Sequence, residues 1–142
     1  MSTEPKEIVR RYLERYVSGG DESVADELVA EEIVFASPYT PQPVHGLAVF
    51  KQMIAGLRDA FPDLAIREEA LIAEDDLVAA RWVASGTHTG TPFAGLEPSG
   101  RRFEIAGMSF YRVRAGRIVE GWVCDDSLGM LTQLGAIPAP VA

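Results

Sequence analysis

The chain has one cysteine, Cys124, and only two histidines, His45 and His88. A lone thiol excludes an internal disulfide framework and a cluster of thiolate ligands. Neither histidine has a partner at HxxxH or HxxE spacing, so no metal site is expected. Basic residues are also scarce. Thirteen Lys and Arg against 21 Asp and Glu leave a formal charge of −8. That balance argues against nucleic acid and anionic membrane as partners, since both demand a basic patch. No apolar run reaches membrane-spanning length, and the opening MSTEPKE lacks the apolar core of a signal peptide, which makes the cytoplasm the default location. The sequence has no G-x-G-x-x-G fingerprint, P-loop, nucleophile elbow or Ser/His/Asp order, so no cofactor is expected either.

What is present is ordinary globular composition: 47% hydrophobic and 24% charged residues in a chain of 142. Residues 1–142 read as one domain. Ile8, Val9, Tyr12, Leu13, Tyr16 and Val17 recur at helical spacing, with Ser2 or Thr3 as a cap and Gly19-Gly20 as a stop. Asp21 can cap a second helix burying Val24, Leu28 and Val29. EIVFASP reads as a short strand, YTPQPVHG as a proline-rich loop, and Val49, Phe50, Met53, Ile54 and Leu57 as a third helical stripe. From Leu64 the period changes to that of strands. LAIREEALIAE and LVAARWVASGTHTG join around Asp75-Asp76, and RRFEIAGMSFYRVR and RIVEGWVCDD around Ala115-Gly116. A short last helix from Ser127 buries Leu128, Leu131 and Leu134 and stops at Gly135; Pro138 and Pro140 mark a frayed tail. The fold class is α+β: helices packed into a strongly curved antiparallel sheet, a cone-shaped barrel, with a short C-terminal helix.

The acid pair Asp125-Asp126 ends the last strand. Strand alternation puts Glu120, Trp122, Cys124 and Asp126 on one face and Val119, Gly121, Val123 and Asp125 on the other, so only one acid enters a pocket. The other caps the last helix, where negative charge suits the N-terminus. Asp126 shares its face with Trp122 and Cys124, apolar company that suits a general acid or base, with Glu120 as an orienting partner. Asp125 suits the cap. His88 begins a long loop of the kind that often serves as a lid, and packs or lies at the surface unless it is catalytic. Arg81 reads as a surface charge, whereas Arg112 has the option of facing the pocket and binding an anionic group. Trp82, Phe110, Trp122, Tyr39, Phe50 and Phe93 are the candidate lining of an aromatic ligand's cavity, with Phe103 and Tyr111 as further candidates, each weighed against ordinary core. Both faces of FEIAGMSFYRV are largely apolar, so a dimer interface over the outer face is expected.

GTHTG at Gly86–Gly90, Pro98, Gly100, GRIVE at Gly116–Glu120, Trp122, QLG at Gln133–Gly135 and AFPDL at Ala60–Leu64 together resemble the SnoaL-type polyketide cyclases. These belong to the nuclear-transport-factor-2-like, or cystatin-like, α+β superfamily. The resemblance implies a dimeric cone with an apolar pocket for a hydrophobic small molecule. It also implies an intramolecular aldol ring closure that uses one acidic side chain, no metal and no cofactor. The acid lies after the Glu-x-Trp segment, and Asp126 is the best match. Val123 departs from the family pattern after the Trp, which leaves Asp125 as the alternative. A ketosteroid-isomerase-like base is missing, because Ser37 precedes Pro38. A limonene-epoxide-hydrolase-like acid is missing too, because Cys124 stands two residues after Trp122. A non-catalytic binding domain using the same pocket is the rival of a different class.

Overall fold

The computed structural model describes residues 4–138. Helix α1 (Pro5–Arg11) opens on a proline, whose missing N–H costs nothing in a first turn. The expected caps Ser2 and Thr3 lie outside the described residues. The helix runs on as a π-helical stretch, Tyr12–Val17, and this wider winding buries Tyr12, Leu13, Tyr16 and Val17 together. Asp21 caps α2 (Glu22–Leu28), accepting from the Ser23 N–H at 3.1 Å and its hydroxyl at 2.6 Å. Val24 and Leu28 face the core from this helix, while Val29 already begins strand β1 (Val29–Ala36). The edge strand β2 (Val44–His45) leads into α3 (Leu47–Ala60). Leu47, Phe50, Ile54 and Leu57 form its inward stripe at spacings of three and four. Val49 falls between those rows and is 49% exposed, not buried as expected.

Strands β3 (Ala65–Glu74), β4 (Leu77–Thr87), β5 (Arg102–Arg114) and β6 (Arg117–Asp125) make the expected antiparallel meander. The sheet order is β2-β1-β6-β5-β4-β3. One pairing is parallel, that of β1 with β6. No hairpin joins these two strands, so nothing in the local chain dictates an antiparallel partner. Register shifts between Glu68 and Ala70, and between Arg112 and Val113, bend the sheet around α1 and α3. The sheet stays unclosed, with β2 and β3 as its edges.

Helix α4 (Ser127–Gln133) follows β6 directly and ends at Gly135, whose φ is +89°. Its buried residues are Met130 and Leu134. Leu128 is 61% exposed, because the cap at Asp126 sets a rotation that turns Met130 inward instead. Pro138 is exposed, and Pro140 lies outside the described residues. No helix among the described residues is long and apolar enough to cross a membrane.

Candidate active site

The concave face of the sheet, the π-helical stretch and α3 enclose a cavity of about 370 Å³. That lies within the range of roughly 300–1,000 Å³ common for small-molecule sites. Leu13, Ile54, Leu57, Phe103, Ile105 and Val123 are typical of its lining. Polar groups gather at two places in it: Ser37, Tyr39 and Asp125 at one, Tyr12, Trp82 and Tyr111 at the other.

Two glycines let aromatic rings lie flat against the sheet. A Cβ on Gly107 would collide with the Trp82 ring, and one on Gly121 would stand 2.6 Å from the Phe35 ring. Gly121 and Gly107 are therefore inner-face residues. Alternation along β6 then carries Val123 and Asp125 inward, with Asp125 opposite Gly107. Asp125 is the one charged residue in the cavity lining among the described residues. Its Oδ2 accepts from the Tyr39 hydroxyl at 2.7 Å, and its Oδ1 accepts from the Ser127 hydroxyl at 2.6 Å. Burial, and then the hydrogen bond to Asp125, push the Tyr39 phenol well above its usual range. Tyr39 thus remains a donor, and the carboxylate is gripped through both oxygens.

The expectation that Asp126 faces the pocket is reversed. Asp126 is exposed and caps α4, its Oδ1 accepting from the Gly129 N–H at 2.9 Å. Its face of β6 is the outer one, where Trp122 is 39% exposed and Cys124 is exposed as well. Glu120, on that same face, pairs with Arg112 at 2.9 Å rather than with an acid. Arg112 also pairs with Asp76 at 2.7 Å, so its charge is matched on the outer face and it does not enter the cavity. Arg81 is at the surface, paired with Glu69 at 3.1 Å.

His88 is fully buried but does not line the cavity. Its ring packs on Phe61 with centroids 5.2 Å apart, and its Nε2 bonds the Thr91 carbonyl at 2.9 Å. Backbone bonds between His88 and both Arg101 and Gly100 close the base of the long loop, whose Gly90 and Thr91 N–H groups dock on the Ala60 and Asp59 carbonyls. His88 therefore shapes the loop, and the loop delivers Phe93 to the cavity, where its ring meets Tyr39 and Phe61.

Of the expected lining, Trp82, Tyr39 and Phe93 belong to the cavity. Phe50 lies one layer behind, fully buried against Tyr12, Tyr16 and Phe35. Phe110 and Trp122 face outward, directly paired across β5 and β6. Phe103 and Tyr111 also line the cavity, as expected. Sequence reading missed Tyr12, Ser37 and Met130 as lining residues. Among the described residues no three His, Cys, Asp or Glu side chains gather into a metal-holding group.

A curved α+β sheet with helices packed over an apolar cavity of small-molecule size, with one carboxylate held by two hydroxyls, is the arrangement these residues build. The family model for SnoaL-like polyketide cyclase matches residues 6–134, and the chain belongs to that family. It is 30% identical over 131 residues to the aklanonic acid methyl ester cyclase DauD of Streptomyces sp. (strain C5), covering 91% of this chain and 80% of that one. With the aklanonic acid methyl ester cyclase DnrD of Streptomyces peucetius it shares 31% identity over 131 residues, covering 91% and 89%. The crystal structure of wild-type IdmH from Streptomyces antibioticus matches with a TM-score of 0.81 at 32% identity, covering 93% of this chain and 99% of that one.

Proposed function

We propose that the protein closes a ring in a hydrophobic polyketide ester by intramolecular aldol addition, with Asp125 as its acid/base group. The observation that carries this reading is the single charged lining residue among the described residues, set in an apolar cavity and oriented by two hydroxyls. The names of DauD and DnrD support a methyl ester as the substrate class.

The Asp125 carboxylate takes a proton from a carbon flanked by carbonyls, breaking the C–H bond. The resulting enolate carbon attacks a ketone in the same molecule, forming the C–C bond and leaving an alkoxide. The proton now on Asp125 passes to that alkoxide, so product and substrate have the same composition. The apolar lining strengthens each of these charge interactions by lowering the local dielectric. Incubation with a polyketide methyl ester bearing both groups should yield a product of unchanged mass and altered retention, at a saturable rate. A ligand-induced rise in melting temperature without any turnover would instead make the protein a binding module.

On this reading a second copy covers the outer face of the sheet. Ile72, Ala79, Phe110 and Trp122 stand in one cross-strand row, and Met108 lies in the next. Ile72, Phe110 and Met108 are 68%, 51% and 59% exposed, a contiguous apolar surface of the kind that marks an interaction site. The neighbouring charges are already matched within the chain, as Arg112 with Glu120 and Arg81 with Glu69, which suits self-association better than a charged partner. Light scattering should give twice the chain mass for wild type and a single chain for Phe110→Glu. A wild-type monomer at high concentration would remove the dimer.

A further inference from the structure

Gly56 is the one glycine that neither the backbone nor the packing explains. Every other glycine either takes a positive φ or has a neighbouring atom within 3.0 Å of where its Cβ would stand. Gly56 lies inside α3, one turn before Ala60, on ordinary helical backbone. A Cβ built there would meet nothing within 4 Å. Glycine is the least favourable helix residue after proline, and alanine would fit here with no contact to disturb. The helix is therefore weaker at Gly56 than it need be, and no contact within the chain offsets this.

Its position shows what the gap serves. Gly56 lines the cavity and is nevertheless exposed, so it stands where the cavity opens to the outside. Tyr39, Pro92 and Ala94 are exposed lining residues as well, and with Gly56 they mark the mouth. The loop that carries Pro92 and Ala94 is pinned to α3 one turn beyond Gly56, where the Gly90 and Thr91 N–H groups meet the Ala60 and Asp59 carbonyls. Met53, three residues before, and Ala60, four after, share the side of the helix on which Gly56 lies. Met53 lines the cavity, and Ala60 is fully buried where the loop docks. A side chain at position 56 would project between those two, into the passage that separates helix from loop. Met53, Pro92 and Ala94 make that passage uncharged and largely apolar.

We propose that Gly56 is a specificity-determining residue. Its missing side chain keeps the passage between α3 and the long loop open for the part of an uncharged apolar ligand that exceeds the enclosed cavity. This role rests on the cavity being the ligand site of the proposed function, and not on ring closure at Asp125.

The test pairs two esters of one ring frame, methyl 2-naphthoate and hexyl 2-naphthoate, neither of which can close a ring. Their affinities are measured by equilibrium titration for wild type, Gly56→Ala and Gly56→Leu. Both substitutions favour a helix, and Gly56→Ala should melt about 2–4 °C above wild type. The methyl ester should bind all three proteins alike. The hexyl ester should weaken slightly in Gly56→Ala and by roughly ten-fold in Gly56→Leu, the cost of overfilling a packed space. A protein more stable than wild type that binds the longer ester worse is the mark of a passage held open. Gly56→Leu binding the hexyl ester as wild type does overturns the inference, and so does an equal loss of both esters. A Gly56→Ala protein that melts no higher than wild type also overturns it, since glycine would then serve the fold. Wild type that takes the methyl ester alone leaves no use for the passage, and wild type that takes neither removes the ligand cavity with it. If Asp125→Asn kept turnover while hexyl ester affinity followed residue 56, ring closure would fall and the passage would stand.

Discussion

Asp125→Asn should lower turnover by about 10²- to 10⁴-fold, the usual contribution of a positioned general acid/base. Its affinity for a non-reacting polycyclic ester should stay within a few-fold of wild type. Asparagine keeps the shape of aspartate and can still accept from Tyr39 or Ser127 through its one oxygen. What it loses is the ability to take a proton from carbon and return it to an alkoxide. The loss should therefore fall on kcat with little change in KM, the mark of an interaction made only in the transition state.

Asp126 supplies the control. Its side chain binds the Gly129 N–H at the start of α4 and does not line the cavity. Asparagine caps a helix about as well as aspartate, so Asp126→Asn should turn over like wild type and melt close to it. Asp126→Ala should lose about 1 kcal/mol of stability with turnover per folded molecule unchanged. Loss of activity in Asp126→Asn alongside an active Asp125→Asn would return the pocket acid to the position that strand hydrophobicity favoured.

That favoured position shows where sequence reading stops. The meander was legible because its strands alternate with period two and its turns are marked: Asp75 adopts φ +55° between β3 and β4, and Ala115 and Gly116 adopt +51° and +75° between β5 and β6. The helices were legible from spacing, and so was the Asp21 cap. The parallel β1–β6 pairing was not, because it joins segments far apart in sequence through no local signal. The inner face of β6 was misread for a definite reason. Trp122 and Cys124 make the outer face look like core, whereas the inner face carries Gly121, a residue kept small so that Phe35 can lie on it. Hydrophobicity ranks a glycine under a phenyl ring as exposed and a tryptophan in an apolar surface row as buried. The same inversion sent Phe110 to the pocket in sequence and to the surface in the structure. Arg112 was ambiguous until Asp76 and Glu120 were seen to hold it outside.

The buried tyrosines should also set an alkaline limit on the fold. Tyr12, Tyr16 and Tyr111 are 2%, 1% and 2% exposed, and burial is the leading cause that raises each phenol above its ordinary value. In the unfolded chain these groups ionise near pH 10. Above that pH the unfolded state binds fewer protons than the native state, so stability falls as pH rises. The contribution is fully present below about pH 10 and is lost on the way up to the folded value. For Tyr111, raised to about 12, the loss across that window is about 3 kcal/mol. Tyr12 and Tyr16 act in the same direction, and the total stability of a domain is only about 5–15 kcal/mol. Urea midpoints followed by circular dichroism should hold steady to about pH 10 and then drop steeply, with cooperative unfolding by about pH 12. Tyr111→Phe should make the drop shallower by about 1.4 kcal/mol per pH unit, because one group no longer titrates. A midpoint that is flat through pH 11 would mean that the phenols reach water in the native state. The cavity would then be wet where Tyr12 and Tyr111 meet.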